Sequence, residues 1–94
     1  MNQIYLVGRV KRKDNIKNYA GGLCKLRFDL QVDNNIIPVI IDSISEFLKT
    51  CDKLLYKDSL VGVKGSLISD KTKLLVKLEK ITDLNNYINN ENNN

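Results

Sequence analysis

Histidine and tryptophan are both missing from these 94 residues, and proline occurs once, at Pro38. Without imidazole there is no Ser-His-Asp or Cys-His triad and no histidine-based metal site. The two cysteines, Cys24 and Cys51, form no C-x-x-C pair. They read as small buried apolar side chains rather than as a disulfide framework or a zinc site. Neither G-x-x-x-x-G-K-[ST] nor G-x-G-x-x-G occurs, so no phosphate loop or dinucleotide fingerprint is present. The longest apolar run, Ile36 to Ile41, contains Pro38 and falls far short of the ~20 residues that span a bilayer. Arg9, Lys11, Arg12 and Lys13 follow the first apolar segment, the reverse of a secretory signal, so the cytoplasm is the expected address. Together these absences predict a binding module, not an enzyme, with no cofactor, no metal and no membrane partner.

What is present suits one small domain: 43% hydrophobic, 28% charged, with a formal net charge of +4. The charge is unevenly spread. Residues 1–27 hold Arg9, Lys11, Arg12, Lys13, Lys17, Lys25 and Arg27 against Asp14 alone, whereas residues 28–58 are net acidic. A basic end suits a polyanion partner. The same richness in Lys, Asn and Ile is also what A+T-rich coding produces, so basicity alone does not name the partner.

Alternation of period two dominates the chain. In Ile4–Lys11 the even positions are apolar or glycine, and Arg9 and Lys11 point the other way. Cys24, Leu26, Phe28, Leu30 and Val32 alternate with Lys25, Arg27, Asp29, Gln31 and Asp33, a strand with one wet face. Asn34-Asn35 offers a tight turn into a third strand. A two-residue turn there pairs Val32 with Ile37, Leu30 with Val39 and Phe28 with Ile41 inside, and Arg27 with Asp42 outside. Pro38, facing out opposite Gln31, marks an edge or a bulge.

The only helical spacing follows. Asp42 or Ser43 is placed to cap it, Glu46 completes a capping box with Ser43, and Ile44, Phe47, Leu48 and Cys51 share a face. Leu60–Ile68 and Lys73–Ile81 read as a second hairpin turning at Asp70-Lys71, with Leu67 opposite Leu74 and Val63 opposite Leu78 inside. Gly65, opposite Val76, suits a strongly curved strand, and Ile81 and Leu84 close the core. Residues 85–94 are rich in asparagine and are expected to form a disordered tail after a folded unit spanning 1–84. Five strands with one helix between the third and fourth is the layout of an all-β Greek-key barrel of the oligonucleotide/oligosaccharide-binding (OB) type. An open antiparallel α+β sheet is the alternative, and it explains Gly8 and Gly65 less well.

Asn2–Val10 (NQIYLVGRV) resembles the opening strand of bacterial single-stranded DNA-binding proteins. LRFDLQV at 26–32, SISEFL at 43–48, KDSLVGVKGSL at 57–67 and KLEKITDL at 77–84 resemble their later elements in the same order. The short length and PVII at 38–41 also resemble primosomal replication protein N, a truncated relative of that fold. The resemblance implies a protein of DNA replication, recombination or repair that binds single strands without strong sequence preference. It also implies a homo-oligomer, dimer or tetramer, associating through the segment around Asn2–Val7. The family stacks bases on sheet aromatics; here the matching third-strand positions hold Ile36 and Asp42, and Tyr19 alone matches a loop aromatic. The acidic C-terminal tip that recruits replication proteins is absent, Glu91 being the one carboxylate after Leu84.

A sequence-neutral single-strand binder needs cations for phosphates and flat surfaces for bases. Arg9, Lys11, Arg12, Lys13 and Lys17 surround the loop from Lys13 to Gly22; Lys25 and Arg27 project from the second strand; Lys71 and Lys73 sit at the last hairpin tip. These, with Tyr19 as the stacking ring, form the expected site. Arg27 reads equally as an ion pair with Asp42. Phe28 and Phe47 belong to the core, while Tyr5 points outward to a base or a subunit interface. Outward Ile36 and Ile40 suit a protein partner or a dimer contact. Gly62-Val-Lys-Gly65 lies inside a strand and is no KH loop; Asp29, Asp33 and Asp42 beside Arg27 and Gln31 do not read as a metal site. With few rings, affinity is expected to rest on charge. RNA is an open alternative ligand, and a protein-interaction adaptor docking on a helicase or primase is the competing function.

Overall fold

The computed structural model describes residues 1–86. Strands β1 (Ile4–Lys13), β2 (Lys17–Asn18), β3 (Leu23–Val32) and β4 (Asn35–Ile44) lead into helix α1 (Ser45–Asp52), then β5 (Leu60–Asp70) and β6 (Lys73–Asp83). The sheet runs β1-β5-β6-β4-β3-β2, and β1 pairs with β3 as well. The first half of β1 pairs with β5 through Ile4–Arg9, and its second half pairs with β3 from Arg9 onward. A short parallel contact, Val39 with Val76 and Ile40 with Lys77, joins β4 to β6 and closes the ring. This is the five-stranded OB barrel with its helix between β4 and β5; β2 is a two-residue addition to the edge of β3. Closure excludes the open α+β sheet.

Period-two residues supply the interior: Val10, Leu26, Phe28, Leu30, Val39, Ile41, Val61 and Val76 are essentially inaccessible. Leu48 and Cys51 of α1, with Leu55 after it, plug the lower end, and Phe47 packs alongside. Cys24 and Cys51 are buried free thiols, and burial raises the Cys51 thiol above its ordinary pKa. Closing so small a barrel forces backbones together at two points. A Cβ on Gly8 would lie 2.2 Å from the Gln31 carbonyl oxygen, and one on Gly65 the same distance from that of Lys77.

Faces match the sequence reading in β1, β3 and β4 but not at the tip of the second hairpin, and registers differ. The first turn is Asp33-Asn34, with Asp33 at φ 54°, so Phe28 faces Val39, Leu26 faces Ile41 and Arg27 faces Ile40 instead of Asp42. Gln31 faces Ile36, and Pro38 faces Asp29. The second turn is Lys71-Thr72, with Lys71 at φ 57°, which sets Leu67 against Val76 and Gly65 against Leu78. A bulge at Lys64/Gly65 shifts the remainder, so Val63 faces Ile81. Leu67 and Leu74 are 42% and 66% exposed, not interior, because this hairpin extends past the barrel's rim. The expected helix cap is also absent. β4 continues to Ile44, leaving Asp42 and Ser43 paired with Lys25 and Cys24, and α1 starts without a side-chain cap bond.

At the chain's start, Asn2 exchanges two hydrogen bonds with the backbone of Leu67, continuing the ladder past β1. Near the other end, Asn85 accepts from the Leu60 amide at 2.9 Å and donates to Ser59 Oγ at 3.1 Å. Most of the asparagine-rich tail, residues 87–94, lies outside the described residues. Gly8→Ala and Gly65→Ala are each expected to destabilise by about 1–3 kcal/mol or more, the range for forced overpacking. Gly62→Ala, whose Cβ would meet nothing nearer than 3.6 Å, should be near neutral. Thermal melts check this, at roughly 4–8 °C per kcal/mol for a domain of this size.

Candidate nucleic-acid interface

Alternation along β3 turns Lys25, Arg27, Asp29 and Gln31 outward, and the register aligns them with Asp42, Ile40, Pro38 and Ile36 of β4. On one flank lies β2, where Lys17 pairs with Lys25. On the other lies β6, where Lys77 stands beside Ile40. Three adjoining hollows of about 180, 120 and 380 Å³ run across this face. Arg12, Asp14, Arg27 and Asp29 line the first, and Asp14, Lys17, Lys25, Arg27 and Ile40 the second. Lys25, Ile40, Asp42, Ile68, Asp70, Leu75 and Lys77 line the third. Shared walls make them one trough.

Its electrostatics are mixed. Arg12 sits 3.6 Å from Asp14, Arg27 3.8 Å from Asp29 and Lys25 4.0 Å from Asp42. These are loose, solvent-screened pairs of small energetic weight. Lys17 and Lys25 face each other directly across strands, a like-charge arrangement that an anion would relieve. The Lys25 ammonium lies 5.2 Å from the centroid of the Tyr19 ring, which is half exposed and held by its backbone amide donating to Leu23.

A one-residue bulge decides where the basic run of β1 goes. Val10 pairs with Leu30, but Arg12, not Lys11, pairs with Asp29. Past the bulge, parity flips. Arg12 joins the trough, while Lys11 donates to Asp58 and Lys13 to Asp52, each at 2.6 Å. Arg9 donates from Nη1 to the Asp58 carbonyl oxygen at 2.9 Å. These three cations tie β1 to the last residue of α1 and to the segment after it, and they line none of the three hollows. Lys71 and Lys73 stand exposed at the β5–β6 tip and do not line them either. The trough thus gathers Arg12, Lys17, Lys25 and Arg27 from the expected set, while Tyr19 lines none of the hollows and meets the trough only through Lys25. It adds Lys77, which hairpin pairing gives no reason to place next to β4, and the carboxylates of Asp14 and Asp70. Among the described residues no group of three or more His, Cys, Asp or Glu could hold a metal, and no helix is long and apolar enough to cross a membrane.

No protein-family model and no curated protein sequence matches the chain. Solved structures do. PriB from Ralstonia solanacearum superposes with a TM-score of 0.71 at 11% identity, over 89% of this chain and 98% of its own. The single-stranded DNA binding protein from Thermus aquaticus gives 0.76 at 22% identity, over 88% of this chain and 40% of its own. The dimeric N-terminal domain of PriB from Thermoanaerobacter tencongensis gives 0.67 at 22% identity, over 88% and 96%. These likenesses show the fold, and they fall on the same two groups of proteins that the sequence resembles.

The hydrogen bond from Lys11, with the nearby charges of Lys11, Lys57 and Arg9, lowers the Asp58 carboxyl below the usual carboxylate range despite some desolvation. The folded protein therefore holds fewer protons here than the unfolded chain. The resulting stabilisation is present at neutral pH and is lost as pH falls through the folded-state pKa. A carboxyl titration by NMR is expected to show a depressed midpoint for Asp58, and Lys11→Met should raise it toward the ordinary value.

Proposed function

We propose that this chain binds single-stranded nucleic acid, DNA in the first instance, without strong sequence preference and without a catalytic step, in cytoplasmic DNA replication, recombination or repair. The observation carrying this reading is the continuous trough across β3 and β4, with Arg12, Lys17, Lys25, Arg27 and Lys77 along it. OB barrels bind extended oligomers on this face. Backbone phosphates replace the loose carboxylate partners of Arg12, Lys25 and Arg27 and settle between Lys17 and Lys25. Lys71 and Lys73, at the tip, extend the cationic surface for a longer strand. Because Asp14, Asp29, Asp42 and Asp70 interleave with the cations, binding by one protomer is modest and steeply salt-dependent.

Fluorescence anisotropy with labelled oligo-dT, duplex DNA and RNA over a salt series tests this. Log K should fall by about 0.7 per phosphate neutralised, as for other single strands. Lys17→Met and Lys25→Met should each weaken binding and flatten that slope by about one contact, whereas Lys13→Met, in which Asp52 loses its partner, should leave it unchanged. Asp42→Asn should tighten binding by up to about fivefold, the size of one surface charge interaction. No oligo-dT binding at ~50 mM salt would defeat the reading. The same carboxylates, with the outward Ile36 and Ile40, favour one alternative: an adaptor that docks on a replication enzyme such as a helicase or primase.

The reading includes a homo-oligomer. Ile4–Gly8 of β1 pairs with β5 alone, leaving its other edge open, and Tyr5 and Val7 beside it are 68% and 59% exposed. A second copy adding its own β1 there would satisfy both the edge and the apolar side chains. Sedimentation is expected to show a dimer that Val7→Asp shifts toward monomer.

A further inference from the structure

Ile40 brings apolar surface into a trough lined mainly by charged side chains. It faces outward from β4, lines two of the three hollows, lies cross-strand from Arg27 and stands beside Lys77. The side chain is half-buried, so part of its apolar surface stays open between charged neighbours. A phosphate gains nothing from it. An apolar face arriving on a chain that also carries negative charge every few ångströms gains from Ile40 and from its surrounding cations together. Tyr19, the exposed ring on this side, already has one cation stacked against it.

We propose that Ile40 is the base-contact residue of the trough: one nucleobase lays its face on the isoleucine, while Lys25, Arg27 and Lys77 hold the phosphates on either side. The inference rests on the single-strand reading above and assigns the apolar half of that site. The occupant follows from charge complementarity, since Lys25, Arg27 and Lys77 beside the aliphatic Ile40, with Ile68 and Leu75 in the adjoining wall, match a polyanion that bears flat apolar groups. An aliphatic floor accepts any base, because shape and hydrogen-bonding pattern play no part in the contact. It also holds that base less firmly than a ring would.

The test compares labelled oligo-dT with a base-free deoxyribose-phosphate chain of equal length, by anisotropy, on the wild-type protein, Ile40→Gln and Ile40→Phe. The wild type is expected to bind oligo-dT about tenfold more tightly than the base-free chain. Ile40→Gln should bring oligo-dT down to the base-free level without altering the latter. Ile40→Phe should tighten oligo-dT about tenfold, the low end of one base–aromatic stack, and it retains the apolar character should the glutamine variant fail to fold. Equal wild-type affinity for both chains, or a parallel loss of both in Ile40→Gln, overturns the assignment and leaves the single-strand reading intact. Binding of neither chain by the wild type overturns both. A wild-type dimer that Ile40→Gln dissociates, seen by sedimentation, assigns the face to a second copy and overturns the assignment.

Discussion

The barrel closes only because two residues lack a side chain. At Gly8 and Gly65 another strand's carbonyl oxygen lies where a Cβ would stand. Those approaches let β1 leave β5 and join β3 halfway along its length, and let β5 curl over β6. Every functional relation described above depends on that curl. It brings Lys77 of the last strand beside Ile40 of the fourth, although 37 positions separate them, and it swings the basic end of β1 toward Asp29. An open sheet with the same alternation would have scattered the cations along an arc.

Alternation is a statement about faces, and faces were legible in the sequence. The interior of β3, from Cys24 to Leu30, is the set that period two selects, and Phe28 is buried among them. Pairing partners were not legible, for a physical reason. Moving the first turn from Asn34-Asn35 to Asp33-Asn34 changes each partner by two residues, which preserves every inside and outside assignment. Aspartate and asparagine tolerate positive φ almost equally, so turn chemistry could not separate the two choices. Lys71, at φ 57°, is a less expected occupant of that region, and it moved the second turn by one residue. The exposed Leu67 and Leu74 mark where periodicity continues beyond the core that gives it meaning.

Legibility of the trough had the same limits. Lys25 and Arg27 followed from alternation, Lys17 from its place in the loop that ends at Gly21-Gly22, and the neighbouring Tyr19 from the family resemblance. Lys77 required the parallel β4–β6 contact, which no local pattern encodes. Cations close together in sequence proved to serve two purposes. Lys11 and Lys13 hold the segment after α1 and the helix's last residue with short, direct bonds, whereas the trough pairs stand at 3.6–4.0 Å. Bonding distance thus separates charges committed to the fold from charges still available to a ligand.

The bulge at Lys11 bears on how this segment tolerates change. Positions 11, 12 and 13 are all basic, so whichever of them carries the extra residue, one cation still turns toward β3 and another toward Asp52 and Asp58. A basic triplet at that point makes the charge on each side of the strand indifferent to a slip of frame. The irregularity can therefore drift by one residue without erasing either duty.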